Sequence, residues 1–230
     1  MLFPLIRRRL KQEPLAYIVG EKEFFGHRFK VSPHVLIPRP ETEHLVEAVG
    51  DFLGNKGDSA KNLRIFDCGT GSGCVAISLK LLSPALDVIA GDISEKALSL
   101  AQENGDRMNA SVQFRKFDAF SKSHWQEIRD LDIIVSNPPY IAWGEKYDLP
   151  DSVRKFEPEK ALFAEKEGLA FYQAIAAAGK NALQTGGRVF LEIGATQAQD
   201  VCAILEQEGF SVLSVLKDYN QMDRVVIAKK

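Results

Sequence analysis

The stretch LRIFDCGTGSGCVAISLKLL, residues 63–82, leaves little freedom in what the surrounding chain can become. A short β-prone run ends on Asp67, Gly69, Gly71 and Gly73 follow within a few residues, and an apolar run of helical length stops at Ser83-Pro84. A strand that turns through glycines into a helix opens a strand–helix–strand unit. DVIAGD supplies the second strand, and the alternation then continues. Ser94 caps a helix in which Ala97, Leu98, Ala101 and Met108 share a face. VQFRKFD and LDIIVSN read as the third and fourth strands, a helix is predicted from about Leu169 to Leu183, GRVFLEIG is the fifth strand, and QAQDVCAILEQEG is another helix. SVLSVLKD and DRVVIAKK, joined by a polar turn around Asn220, lie too close in sequence for a crossover helix, so they pair antiparallel at an edge. The expectation is an α/β fold: a mostly parallel sheet of seven strands with helices on both faces.

The first forty residues have a different character. YIVGEKEFFGHRFKV contains two β-prone runs around turn residues and predicts a hairpin rather than a helix, with Phe24, Phe25 and Phe29 expected to be buried. LIPRPETE is an extended, proline-pinned segment leading into a helix with Leu45, Val46, Val49, Phe52 and Leu53 on one face. GNKGDSAKN, Gly54 to Asn62, reads as a polar loop. The implied division is an N-terminal segment and hairpin linker over residues 1–40 and a main domain over residues 41–230.

Composition excludes several classes. With 45% hydrophobic and 26% charged residues the chain can bury a core and keep a solvated surface. No run approaches the ~18 apolar residues of a membrane span, so no membrane partner is expected. The start, MLFPLIRRRLKQEP, places apolar residues before the arginines, the reverse of a secretory signal. Net charge is −2 and no long basic run follows Arg7 to Arg9, which argues against direct contact with nucleic acid. Cys68, Cys74 and Cys202 are odd in number and form no CxxC pair, and the histidines show no ligand spacing. Neither a disulfide scaffold nor a metal site is expected, and the compartment is a reducing one, taken as the cytoplasm.

Chemistry concentrates in two motifs. In DCGTGSG the glycines permit a tight turn and close approach of backbone to a ligand, at a helix N-terminus rich in free N–H groups. Such a loop serves a dinucleotide or S-adenosylmethionine, or is merely a crowded turn. Asp92, about twenty residues on, ends the second strand and can accept both ribose hydroxyls of an adenosine; its alternative is to cap the Ser94 helix. Asp67 beside the loop would repel a pyrophosphate and suit the positive groups of S-adenosylmethionine, which favours the methyl donor. Asp67, Asp92, Asp118 and Asn137 each end a strand and are expected on one rim, with Asp118, Ala119 and Phe120 near the adenine, or Phe120 in the core.

The second motif is SNPPYI, where the fourth strand leaves the sheet through Pro138 and Pro139. Neither proline donates a backbone hydrogen bond. Asn137 offers a side-chain carbonyl and Pro138 a main-chain one, so together they can hold an –NH2 group by both hydrogens. That aims a planar, weakly nucleophilic nitrogen at a methyl carbon in a water-poor pocket. Tyr140 is expected to stack on the amide or base so held.

Asn-Pro-Pro-Tyr beyond DCGTGSG resembles the class I S-adenosylmethionine-dependent methyltransferases of planar amino nitrogens, which share a Rossmann-like sheet of this kind with an antiparallel edge strand. EFFGHRFKVSPHVLIPRPETEHLVE, IFDCGTGSGCVAISL, GDISEKALSLAQEN, FEPEKALFA, GLAFY and DRVV narrow the resemblance to the HemK/PrmC family, from about Glu13 to the end. Those are protein-(glutamine-N5) methyltransferases of translation release factors. The resemblance implies a donor site at Gly69, Thr70, Gly71, Ser72, Gly73, Asp92, Ala119 and Asn137, and a glutamine held by Asn137, Pro138, Pro139 and Tyr140. Its implied protein substrate is a peptide chain release factor, methylated on the glutamine of its GGQ motif. Family members usually carry an N-terminal helical domain of several dozen residues, whereas only MLFPLIRRRLKQ precedes the recognisable part here. Arg39 and Glu41 have no role legible in the sequence; lining the cleft is one, a helix N-terminal cap by Glu41 or Glu43 another. Competing readings are an N6-adenine nucleic-acid methyltransferase, a ribosomal-protein glutamine methyltransferase, and a non-catalytic binder of S-adenosylmethionine.

Overall fold

The computed structural model of the chain describes residues 2–57 and 62–230. Helix α1 (Leu2–Leu10) and the short α2 (Leu15–Val19) precede a hairpin of β1 (Glu21–Phe24) and β2 (His27–Lys30). A 3-10 turn at Pro40–Thr42 enters α3 (Glu43–Lys56). Then come β3 (Arg64–Cys68), α4 (Cys74–Leu82), β4 (Asp87–Asp92), α5 (Glu95–Arg107), β5 (Gln113–Lys116), α6 (Lys122–Gln126) and β6 (Leu131–Ser136). Two-residue strands β7 (Ile141–Ala142) and β8 (Phe163–Ala164) flank α7 (Asp151–Arg154). Helix α8 (Ala170–Ala182), β9 (Leu183–Glu192), α9 (Ala198–Gln207), β10 (Ser211–Lys217) and β11 (Asp223–Lys229) complete the chain.

The main sheet has seven strands in the order β10-β11-β9-β6-β3-β4-β5. Pairings from β9 to β5 are parallel, and β11 runs antiparallel to both β9 and β10, so the final hairpin forms one margin as its short turn requires. Strand alternation divides the core between the two faces. Ile65, Ile133, Val135 and Phe190 face α3, α4 and the N-terminal hairpin. Phe66, Ile134, Val189 and Leu191 face α6, α8 and α9. Every one of these side chains is fully buried.

Two local expectations need correction. Tyr17, Ile18 and Val19 are helical rather than the first arm of the hairpin, which starts at Glu21. Pro14 precedes the helix and Gly20, at φ +84°, ends it, so a single turn fits between them. Tyr17 then reaches inward and its hydroxyl donates to the Val35 carbonyl at 2.6 Å. The loop expected from Gly54 begins later, because α3 continues to Lys56; residues 58–61 of that loop lie outside the described residues.

The hairpin turn has positive φ at both Phe25 (+49°) and Gly26 (+74°), the primed geometry that matches strand twist. Glu43 stabilises it, accepting the Phe25 N–H at 2.8 Å, which gives that acid a role in docking the hairpin on α3. Phe24 and Phe29 meet edge to face and belong to the same core as α3 and α4, whereas Phe25 is only partly buried. Removing either inner ring opens a cavity in the shared core. Phe29→Ala is expected to cost about 3–5 kcal/mol in urea denaturation, in a single transition; a separate early transition would mark the hairpin as an independent unit.

Candidate active site

Strand order reverses at β3. The chain runs outward through β4 and β5, then crosses back to place β6 on the other side of β3. Crevices at such reversals, beyond the carboxyl ends of the strands, are where open α/β sheets bind ligands. The two strands part at Cys68 and Ser136, where the Ser136 hydroxyl donates to the Cys68 carbonyl at 2.6 Å. Beyond that bond the glycine loop leaves on one side and Asn137 on the other. A cavity of about 1210 Å³ opens between them, larger than most small-molecule sites.

The glycine loop is latched to β4. Gly69 and Thr70 donate their N–H groups to the Gly91 carbonyl at 2.8 and 3.0 Å, and Gly71 donates to Asp92 Oδ2 at 2.9 Å. Gly73, at φ +82°, has no room for a side chain: a Cβ would sit 2.9 Å from Ile77 Cδ1 and 3.1 Å from Ala101 Cβ. A Cβ on Gly69 or Gly71 would meet nothing within 4 Å, so that side of the loop is the open wall of the cavity. Thr70 and Ser72 are buried, and the Ser72 hydroxyl has no hydrogen-bond partner among the described residues. Gly69, Thr70, Gly71 and Ser72 line the cavity; Gly73 instead lets α4 and α5 approach each other.

Of the four strand-end residues expected on one rim, Asp92, Asp118 and Asn137 line the cavity and Asp67 does not. Asp67 is 1% exposed, sealed beneath the loop, where it accepts the Thr70 hydroxyl at 2.7 Å. Burial pushes its carboxyl up to about 7, against the Thr70 hydroxyl and the Ala76 N–H. Asp67 therefore braces the turn rather than facing a ligand. Burial also raises Asp92, opposed by the N–H groups of Ser94, Gly71 and Ile93. Its Oδ1 accepts from Ser94 at 2.8 Å, so Asp92 both secures the start of α5 and lines the cavity.

This arrangement suits an adenosyl sulfonium. Asp92 and Asp118 stand at the strand ends on the glycine-loop side of the cavity, where a cation is favoured over a pyrophosphate, while Arg39, Lys122, Lys160 and Lys166 also line the cavity. Ile93 and Phe120, each about half exposed, offer apolar surface for a base at the same rim. Phe120 meets Phe171 edge to face at 4.8 Å outside the buried core, while Ala119 lines the cavity and accepts the Trp125 indole N–H at 2.8 Å. Among the described residues no helix is long and apolar enough to cross a membrane.

On the opposite wall, Asn137 Nδ2 donates to the Thr42 hydroxyl at 3.0 Å. With that nitrogen engaged, Oδ1 is the end of the amide left for the cavity. Pro138 and Pro139 line the cavity beside it, and the Pro138 carbonyl accepts no hydrogen bond from the described residues. Tyr140 departs from the expected stacking role. It lines a smaller cavity behind the turn, with its hydroxyl 3.5 Å from Glu192 Oε1 and its carbonyl accepting Gln197 Nε2 at 2.9 Å.

Sequence reasoning missed the residues that hold this turn in place. Thr42 sits inside PRPETE and looks like an ordinary helix-entry residue. Gln197 begins a helical pattern. Gly168, at φ +83°, abuts the turn so closely that a Cβ would lie 2.1 Å from the Tyr140 carbonyl oxygen. Arg39 lines the cavity and is paired at 2.5 Å with Glu157, whose side chain is 1% exposed and whose other oxygen accepts the Ile37 N–H at 3.1 Å. The one available signal was Glu192, an acid directly after the apolar run of Val189, Phe190 and Leu191.

The raised carboxyl of Asp67 has a consequence for stability. Between its ordinary value of 3.8 and about 7, the native state binds more protons at this site than the unfolded chain does. The stability it contributes is full below the unfolded value and lost as pH rises through the folded one. The stability of the wild type minus that of Asp67→Asn is expected to fall across this window, by up to about 1.4 kcal/mol per pH unit. Urea denaturation at a series of pH values measures it, and a constant difference would refute it.

Comparison with known proteins places the chain among methyltransferases. A family model described as the methyltransferase small domain matches residues 47–151. A protein of Bacteroides thetaiotaomicron named release factor glutamine methyltransferase is 42% identical over 227 residues, covering 98% of this chain and 79% of the relative. One of the same name from Lactococcus lactis is 47% identical over 228 residues, covering 97% and 80%. The crystal structure of a methyltransferase from Pyrococcus furiosus, 18% identical, shares the fold with a TM-score of 0.66 over 97% of this chain and 98% of that one. With identity above 40% sustained along nearly its whole length, the chain belongs to the release factor glutamine methyltransferase family.

Proposed function

We propose that the protein transfers a methyl group from S-adenosylmethionine to the side-chain amide nitrogen of the glutamine in the GGQ motif of a peptide chain release factor. The observation that carries this reading is the Asn137–Thr42 hydrogen bond of 3.0 Å, which leaves the Asn137 carbonyl oxygen and the adjacent Pro138 carbonyl as two free acceptors in one cavity. The names of relatives more than 40% identical support the protein substrate.

The donor supplies an electrophilic methyl carbon on a sulfonium. Gly69, Thr70, Gly71 and Ser72 would hold its amino-acid portion, Gly73 shapes the loop, Asp92 would accept the ribose hydroxyls, and Ala119 with Phe120 would border the adenine. Asn137 Oδ1 and the Pro138 carbonyl accept the two amide hydrogens of the substrate, Pro139 stiffens the turn, and Tyr140 anchors it from behind. Fixing the –NH2 plane aims the nitrogen and removes the orientational part of the barrier. The nitrogen becomes acidic as positive charge develops on it, so its proton can leave without a strong base.

Residues 1–40 we treat as an accessory segment docked on a methyltransferase domain over residues 41–230. Net charge −2 supports a protein rather than a nucleic-acid partner, and three free cysteines support a reducing cytoplasm.

Radiolabelled methyl transfer to a purified release factor, to its Gln→Ala variant at the GGQ site, and to adenine-containing DNA and RNA tests the reading. Label is expected on the unmodified factor alone, and label on nucleic acid alone would overturn it. Asn137→Ala is expected to abolish nearly all turnover while donor affinity, to which Asn137 also contributes, falls much less. Asp92→Ala is expected to raise the donor Kd about 10-fold, measured by calorimetry. Gly168→Ala displaces the turn through the Tyr140 carbonyl and is expected to lower kcat about 100-fold with the donor Kd near wild type.

A further inference from the structure

Beside the acceptor pair lies a buried acid to which the scheme above gives no part. Glu192 ends β9 one residue beyond Leu191, which pairs with Ser136, so the sheet sets Glu192 next to Asn137. It is 1% exposed; Oε1 lies 3.5 Å from the Tyr140 hydroxyl, and Oε2 is buried without a hydrogen-bond partner among the described residues. An unpartnered carboxylate oxygen inside a protein is costly enough to need a reason. Thr42, itself 2% exposed, accepts the Asn137 amide at 3.0 Å, its own hydroxyl hydrogen has no acceptor among the described residues, and it is one of the groups that lower the Glu192 carboxyl.

We infer that Glu192 is a positioning residue: through the Thr42 hydroxyl it holds the Asn137 side chain with its carbonyl oxygen toward the cavity, and protonation of Glu192 releases that orientation. The inference rests on the proposed role of Asn137 as acceptor of the substrate's amide hydrogens. A hydroxyl has one hydrogen to give, and an ionised carboxylate can only accept. While Glu192 is ionised, the Thr42 hydrogen is drawn to it, a Thr42 lone pair is left for Asn137, and Asn137 turns its –NH2 to Thr42. The oxygen then faces the substrate. Once Glu192 carries a proton it can donate to Thr42, whose own hydrogen is freed for the Asn137 oxygen. The amide turns over and sets two donors against the two donors of the substrate.

Groups facing Glu192 come from every element packed around it. Arg224 on β11 is committed to Asp218 at 3.0 Å and to the Ile193 carbonyl at 3.0 Å. Glu41 lies in the turn before α3, Tyr172 on α8 donates to the main-chain carbonyl of Glu192 at 3.0 Å, and Cys74 begins α4. Burial is the largest influence and lifts the carboxyl to about 7, with Glu41 adding to it and Thr42, Arg224 and Tyr140 opposing. Both protonation states are therefore populated near neutral pH, and the ionised, assembled one dominates above it.

Single-turnover methyl transfer to a purified release factor between about pH 5.5 and 8.5, in parallel with donor calorimetry, tests this. The wild-type rate is expected to fall about 10-fold per pH unit below neutrality, while the donor Kd stays within about 2-fold. Glu192→Gln, close in shape and checked for a native melting transition, is expected to give a pH-independent rate about 10-fold below the wild-type plateau. Thr42→Ser, which keeps the hydroxyl, is expected to keep the pH dependence, and Thr42→Val to lose it. An acid limb unchanged in Glu192→Gln, or a donor Kd that follows the same pH curve as the rate, would overturn the inference. Absence of transfer by the wild type at every pH would instead overturn the proposed function, and this inference with it.

Discussion

The hydrogen bond from the Ser136 hydroxyl to the Cys68 carbonyl closes the last contact between two neighbouring strands before each turns away. At that point β3 and β6 stop sharing a ladder, and their backbone groups must find other partners. The glycine loop finds them on β4, at the Gly91 carbonyl and the Asp92 carboxylate. The Asn-Pro-Pro-Tyr turn finds few, since neither proline has an N–H to place, and so leaves a carbonyl free at the edge of the cavity. The glycine loop and the Asn-Pro-Pro-Tyr turn thus border one cavity because two strand ends are adjacent and each exit solves its hydrogen bonding differently.

The opposite side of the cavity is supplied by chain that is distant in sequence. Thr42 and Arg39 belong to the segment between the hairpin and α3, yet they contact Asn137 and Glu157. That segment is held in position by the hairpin, whose Phe24 and Phe29 share a core with α3 and α4 and whose turn is tied to Glu43. The N-terminal residues are in this sense part of the site's framework.

Acidic groups recur around the site, each in a different setting. Asp92 and Asp118 line the cavity at the strand ends. Asp67, beneath the loop, and Glu192, behind the acceptor turn, are buried and hold their protons more strongly than exposed carboxyls. Asp67 and Asp92 both brace the glycine loop, and of the two only Asp92 lines the cavity. Strand-end position alone does not separate the two roles; burial does.

Most of the fold was legible in the sequence because it rests on local repetition. Strand and helix periods, the glycine turn and the spacing of the last two strands dictate a mostly parallel seven-stranded sheet, and the topology follows that pattern. The tripeptide Tyr17 to Val19 was misread because β-propensity is weak evidence against a Pro and a Gly that delimit one helical turn. Of the residues that line the cavity, Gly69 to Ser72, Asp92 and Asn137 stood out in the sequence as unusual residue types at strand ends. The residues packed behind them did not. Thr42, Gly168, Glu192 and Gln197 act through contacts between segments far apart in the chain, and no sequence period encodes such a contact. The sequence by itself determined which groups are available at the carboxyl ends of the strands. Only the tertiary structure decided that Asp67 points inward, that Tyr140 stands behind its turn, and which end of the Asn137 amide faces the cavity, because those outcomes depend on which neighbours supply the remaining hydrogen bonds.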